Sequence, residues 1–342
     1  MKVNRPETEF SPAKSYTWLS AQNGRESALS GMEADAMSVT QFQFTSSDGL
    51  CIACARWNSQ GPVRAVVQIA HGMGEHIGRY LGTIEALTAS GVTVYGNDHR
   101  GHGHTAPSPE QLGDFGKGGF DLLVEDMAEL SRIAKKENPN VPFILMGHSM
   151  GSFASQQYVI EHSHQIDGLV LSGSGALDGL ARLASQALAG ANILNSQFEP
   201  ARTPVDWLSR DTAVVDAFLN DPLCFPQLKP NAFASFLAAG RLLSDPAVIR
   251  KVRSDLSVYF FSGSDDPVGE RMKGVETQIE RYHQAGLSDI THDFYPGGRH
   301  EMLNEINRDE VLTNLLSWIF SLLDKQKGSP VRASYPNVVG AA

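Results

Sequence analysis

The stretch 141–160 constrains this chain more than any other. Val141-Pro142-Phe143-Ile144-Leu145-Met146 is a short apolar run of the kind that forms a buried strand. Gly147-His148-Ser149-Met150-Gly151 follows at once. Then comes a helical pattern from Ser152 to Ile160, with Phe153, Gln157 and Ile160 spaced four and three apart. A strand that becomes a helix this quickly must turn sharply. The two glycines allow the turn and let the two elements cross closely. The Ser149 hydroxyl is then held out at the end of the strand, and the Met150 N–H points to where an oxyanion would form. That is the setting of a nucleophile elbow. A Gly-x-Ser-x-Gly string alone is also compatible with a plain glycine-rich turn and a solvated serine. The strand before it and the helix after it separate the two readings.

The rest of the chain repeats the theme. Gln41-Phe42-Gln43-Phe44 alternates with period two, Ser46-Ser47-Asp48-Gly49 is a turn, and 50–57 is a second strand, so a hairpin is predicted. The apolar strand 65–70 runs into His71-Gly72-Met73-Gly74-Glu75-His76, and a helix is predicted over 80–90. The strand 92–96 ends in Asn97-Asp98-His99-Arg100-Gly101-His102-Gly103-His104, and a helix follows over 120–136. After the elbow comes a strand at 166–171. Strands and helices alternating at these lengths form βαβ units and a parallel sheet. The glycine-rich loops fall at the carboxyl ends of the strands, where open α/β sheets bind ligands.

From 174 to 253 the alternation stops. Helical patterns over 180–188 and 231–243 are mixed with Pro200, Pro204, Pro222, Pro226 and Pro230. This reads as an insertion on the sheet, a cap. The strand pattern resumes at 256–261, followed by a helix over 271–285, a strand at 290–295 and an amphipathic helix over 309–323. The expected organisation is an α/β core of 39–173 and 254–324, a cap of 174–253, an N-terminal extension of 1–38 and a C-terminal tail of 325–342.

Composition narrows the function classes. The net charge is −10 and no Lys/Arg cluster stands out, so phosphate neutralisation of a nucleic acid has no basis. No apolar run is long enough to span a bilayer, and the first thirty residues lack the apolar core of a secretory signal, so no integral membrane segment is expected. Three cysteines make no disulfide framework and suit a cytoplasmic protein. Cys51 and Cys54 are formally C-x-x-C, but residues three apart on a strand point to opposite faces, so a metal or redox pair is not expected.

A serine hydroxyl needs a base, and the base needs a group that fixes its tautomer. With a strand-turn-helix nucleophile the acid and the histidine are expected downstream, in that order. Gly263-Ser264-Asp265-Asp266-Pro267 directly follows a strand. Asp266 is favoured as the acid, because Pro267 restrains the backbone beside it; Asp265 is the alternative. Three histidines come later. His283 falls in a helical pattern, His292 inside a strand, and His300 in the loop Pro296-Gly297-Gly298-Arg299-His300. Only His300 has the context of a general base. The second oxyanion donor is expected from the loop His71-Gly72-Met73-Gly74, with the Met73 N–H beside that of Met150.

His71-Gly72-Met73-Gly74-Glu75-His76 with Arg79-Tyr80, the loop 97–103, Gly147 to Gly151, Gly263 to Asp266, and His300-Glu301 with Asn304-Glu305 together resemble the monoacylglycerol lipase / lysophospholipase group of α/β-hydrolases, which are serine aminopeptidase S33-type hydrolases. The resemblance covers about 39–323. It implies the α/β-hydrolase fold: an eight-stranded, mostly parallel sheet flanked by helices, with a helical cap insertion. It further implies a serine carboxylic-ester hydrolase that acts on a small-molecule or lipid-like ester without cofactor or metal. Ser149, Asp266 and His300 match the catalytic positions, and Met73 and Met150 the oxyanion positions. In that group the histidines at 71, 76, 99, 102, 104 and 148 shape loops around the nucleophile. The cap matches no pattern residue by residue, so the acyl and alcohol preference stays open. Leu183, Leu188, Ile193, Leu194, Phe218, Phe233, Phe236 and Leu237 are its candidates for lining an acyl pocket. Thioesters, aryl esters or an N-terminal peptide bond would suit the same residues, as would a non-hydrolytic or ligand-binding protein on this scaffold.

Overall fold

The computed structural model describes residues 38–327, apart from 187–192 and 226. The expected extension and most of the expected tail, with Leu188 and Pro226, lie outside the described residues.

An antiparallel hairpin of β1 (Val39–Thr45) and β2 (Cys51–Trp57) opens the sheet. Six parallel strands follow: β3 (Ala65–Ala70), β4 (Val92–Asn97), β5 (Phe143–His148), β6 (Gly168–Ser172), β7 (Ser257–Gly263) and β8 (Ile290–Tyr295). The strand order is β1-β2-β4-β3-β5-β6-β7-β8, with β2 antiparallel to β4. This is the eight-stranded, mostly parallel α/β-hydrolase sheet. Every residue of β3 to β7 is buried, as an internal sheet covered on both faces requires.

The chain leaves β3 for β4 on one side and returns to β5 on the other. The carboxyl ends of β3 and β5 therefore flank a crevice, the general ligand position of such sheets. The crossings are made by α1 (Leu81–Ala89), α2 (Gly119–Glu137) and α3 (Met150–His162). Between β6 and β7 lie α4 (Leu177–Gln186), α5 (Thr212–Asn220), α6 (Pro230–Ser244) and the single turn α7 (Pro246–Ile249). Then α8 (Lys273–Gln284) joins β7 to β8, and α9 (Arg308–Lys327) ends the described chain.

The β5–α3 turn is as tight as its glycines suggest. Ser149 has φ 52° and ψ −122°, a conformation rarely open to a residue with a side chain. A Cβ on Gly147 would overlap the Gly151 carbonyl and the Ser155 hydroxyl, and one on Gly151 would overlap the Ala70 and His71 carbonyls. Helix α3 thus sits directly against the end of β3, and only glycine fits there.

Two elements differ from expectation for local reasons. The helix expected from 271 begins at Lys273, because Glu270, Arg271 and Met272 have φ of 51°, 53° and 77°. A left-handed run cannot belong to a right-handed helix. Helix α5 has no counterpart in the sequence reading; it is short, and it starts where Asp211 accepts the Ala213 N–H at 3.0 Å as an N-cap.

Replacing Gly151 by Ala forces α3 away from β3. We expect the unfolding free energy to fall by about 1–3 kcal/mol, read from urea denaturation; an unchanged midpoint would show that the crossing has room to spare.

Candidate active site

The elbow, the loop after β3, the loop after β7 and the loop after β8 converge on one cavity of about 600 Å³. Ser149, Met150, Met73 and His300 all line it. Asp266 stands behind His300, fully buried, with its Oδ1 at 3.0 Å from the imidazole Nδ1. The Val268 N–H donates to the same Oδ1 at 2.9 Å and the Ser262 hydroxyl meets Oδ2 at 3.4 Å. Asp265 takes a different place: its carboxylate meets the Ser264 hydroxyl at 3.4 Å. His283 bonds the Leu287 carbonyl, and His292 lies within β8. The sequence-predicted residues are thus brought together, and of the two neighbouring aspartates it is Asp266 that reaches the imidazole.

An ionised carboxylate at Nδ1 keeps a proton on that nitrogen, which leaves the Nε2 lone pair as the basic site. Burial disfavours the imidazolium of His300. The Asp266 charge and hydrogen bond, helped by Glu301 and Glu75, outweigh that penalty and hold its pKa above the ordinary value. His148, one residue before the serine, behaves oppositely. Burial, reinforced by the charge of His300, lowers its pKa to about 4, so it is neutral at pH 7. Its ring centroid lies 4.7 Å from that of His300, and the Trp207 ring lies 4.8 Å away.

Met73 and Met150, the residues expected to supply the oxyanion donors, both line the cavity. Met150 is the first residue of α3, so its N–H has no acceptor within the helix. Met73 sits in the loop after β3, and among the described residues neither N–H meets a hydrogen-bond acceptor. The shape of that loop is set from behind. The His71 Nδ1–H bonds the Gly72 carbonyl at 2.8 Å, so its Nε2 is free to accept the His99 N–H at 2.9 Å. Burial keeps His71 and His102 at a pKa of about 3 and His99 well below its ordinary value, so all three are neutral props. Buried Asp98 accepts the N–H groups of Ile77 (3.0 Å) and His104 (2.6 Å), which pins the loops after β3 and β4 to each other.

Glu75, Arg79 and Glu301 form a charged network whose role does not show in the sequence alone. Glu75 accepts the Gly72 N–H at 2.5 Å, the Tyr80 hydroxyl at 2.6 Å and Arg79 at 2.7 Å. Arg79 also forks onto both oxygens of Glu301, each at 2.7 Å. Burial alone would raise the Glu75 pKa; Arg79 and the hydrogen bonds from Tyr80 and Gly72 more than offset it, and the carboxylate stays ionised. One arginine therefore ties the loop of Met73 to the loop of His300. Its sequence signal was the four-residue spacing of Glu75 and Arg79, together with Glu301 directly after the histidine.

The opposite wall is apolar. Ile193, Leu194, Phe218, Phe233, Phe236 and Leu237 line it as expected, joined by Leu180 and Ala184 of α4. Leu183 of the same helix is 40% exposed and takes no part in the wall. Away from that wall, His76, Asp221 and Cys224 bring potential metal donors within 4.8 Å of one another. There the His76 Nε2 pairs with Asp221 at 3.0 Å, while its Nδ1 accepts the Gly78 N–H at 3.2 Å. Metal ligation through Nε2 calls for a proton on Nδ1, which that second bond opposes.

A sequence model of the family described as "Serine aminopeptidase, S33" matches residues 61–307. The chain belongs to that family. It is 30% identical over 289 residues to a monoacylglycerol lipase of Mycolicibacterium smegmatis, covering 83% of this chain and 98% of that one. It is 29% identical over 267 residues to human monoglyceride lipase, covering 76% and 83% of the two chains. A thermostable carboxyl esterase from Bacillus coagulans, solved in complex with glycerol, superposes with a TM-score of 0.75 at 29% identity, covering 84% of this chain and 99% of that one.

Removing the Arg79 guanidinium leaves two buried carboxylates facing each other. Arg79→Ala is expected to cost about 3–5 kcal/mol of unfolding free energy, and Arg79→Lys to recover only part of it because an ammonium cannot fork onto Glu301. Chemical denaturation of the two variants checks this; a loss below 1 kcal/mol for alanine, a size typical of exposed pairs, would show the network to be solvated.

Proposed function

We propose that this chain is a serine carboxylic-ester hydrolase for long-chain monoacylglycerol-like esters, with Ser149 as nucleophile, His300 as general base and Asp266 as its orienting acid. The observation that carries the reading is the 3.0 Å bond from His300 Nδ1 to Asp266, in the same cavity as a Ser149 held at φ 52°. The names of the relatives, lipases and esterases, supply the bond type.

The reaction follows from the parts. Ser149 Oγ attacks the ester carbonyl as His300 Nε2 takes its proton. The carbonyl oxygen gains the charge, and the Met73 and Met150 N–H groups donate hydrogen bonds to it as the oxyanion site. The tetrahedral species collapses, His300 returns the proton to the leaving alcohol, and the acyl group stays on Ser149. Water then attacks with the same base, releasing the acid and restoring the serine. Residues 174–253 act as a cap whose apolar wall takes the acyl chain. The charged side around Glu75, Arg79 and Glu301 faces the polar alcohol. Cys51, Cys54 and Cys224 are free thiols, which supports a cytoplasmic setting.

Hydrolysis of p-nitrophenyl esters from acetate to palmitate, and of 1-monoacylglycerols, tests the reading. Each methylene that finds the apolar wall adds up to about 0.8 kcal/mol of binding, so kcat/KM rises steeply with chain length until the cavity is filled. Ser149→Ala lowers kcat on the order of 10⁴-fold or more. A flat length dependence together with faster cleavage of aminoacyl p-nitroanilides would move the assignment from esters to amides.

The pH profile has a definite sign. His300 must be neutral to accept a proton, and its pKa is held above 6.5. The kcat/KM of the free enzyme therefore falls as pH drops through a value above 6.5, and is flat on the alkaline side until other groups titrate. An acid limb below 6.5 would contradict the ionised Asp266 pair.

A further inference from the structure

The segment between β6 and β7 reaches past the cavity wall to the proposed base itself. Residues 206–209 clasp the loop 299–301. The His300 N–H donates to the Trp207 carbonyl at 3.3 Å and the Glu301 N–H to the Leu208 carbonyl at 2.8 Å. Arg299 reaches back to the carbonyls of Asp206 and of Ser209. The Trp207 N–H is itself held by Asn195 Oδ1 at 3.0 Å. These bonds set the indole 4.8 Å, centroid to centroid, from the His300 ring at an interplanar angle of 42°.

We propose that Trp207 is a positioning residue for His300: its indole attracts the imidazolium form and so stabilises the proton transfer from Ser149. The proposal rests on the reading of His300 as the base. A cation within about 6 Å of an indole centroid is attracted by the ring quadrupole, and tryptophan is the strongest aromatic partner. The attraction acts on the charged ring and hardly on the neutral one. It therefore favours the state His300 enters in the transition state over the state it leaves.

The other groups around the ring make this contribution separable. Asp266 supplies the opposite charge. Glu301 and Glu75 add negative potential, but both are paired with Arg79. His148 is neutral and adds no charge. On the segment that carries Trp207, Asp206 is taken up by Thr203 and the Arg202 N–H, and Arg210 by Glu305. Two uncharged rings then remain beside the imidazole, His148 at 4.7 Å and the indole at 4.8 Å, and of the two the indole is the stronger partner for a cation.

The experiment introduces mono-, di- and trifluorinated tryptophans at position 207 alone, beside Trp207→Leu. Fluorine weakens the ring quadrupole while nearly preserving shape, so the fold is kept across the series. Two readouts are taken: the pH titration of the His300 ring by NMR, and the pH dependence of kcat and KM on an ester. The expected result is a stepwise fall of the His300 pKa with each fluorine, reaching about half to one and a half units in the leucine variant. The kcat should fall in parallel by about 2- to 30-fold, with KM nearly constant. A His300 titration that is the same across the fluorinated series and in Trp207→Leu overturns the proposal, even if kcat drops, since that drop would report lost packing. His300→Ala is run alongside. Full activity in that variant would overturn the base assignment, while the ring titration would still report separately whether the indole attracts the imidazolium.

Discussion

Everything at this site hangs on one steric constraint, the crossing of α3 over the end of β3. Gly147 and Gly151 let the backbone of the elbow lie against the Ala70 and His71 carbonyls. With no Cβ at either place, Ser149 takes up the strain and is pushed out beyond the strand end. The same closeness brings the first turn of α3 alongside the loop of Met73. The proposed nucleophile and its two proposed N–H donors are thus placed by the backbone, with little side-chain freedom to lose.

Electrostatics then organises what the backbone has placed. Burial drives His71, His99, His102 and His148 to the neutral form, whereas Asp266 at Nδ1 holds the His300 pKa above the ordinary value, as Asp221 does for His76. Of the two histidines that line the cavity, His300 is therefore the one with the raised proton affinity. In the same buried setting one guanidinium, that of Arg79, satisfies the Glu75 and Glu301 carboxylates at once, and it helps hold the Glu75 pKa below its ordinary value. The network joins the loop of Met73 to the loop of His300 through this single guanidinium.

Much of this was legible in the chain itself. The strand–turn–helix context of Ser149, the order of Asp266 and His300 after it, and the glycine-rich loop of Met73 are local patterns, and local patterns survive in one dimension. The start of α8 is not legible, because a left-handed run at Glu270 to Met272 leaves no mark on helical periodicity. Nor does an apolar Leu183 on a cap helix reveal by its type alone that it stays out of the pocket wall. Which face of α4 turns inward depends on what packs there, and that face carries Leu180 and Ala184.

By itself the sequence determined the parallel sheet, the elbow and the residue types that the chemistry needs, since each depends on backbone propensity or on neighbours within a few positions. Tertiary structure alone decided how Arg79 bridges two loops 222 positions apart in the chain, and that Trp207 rests against the His300 ring. Those choices depend on distances between segments remote in sequence, and on the desolvation that follows when they close over one another. Neither quantity exists until the chain has folded.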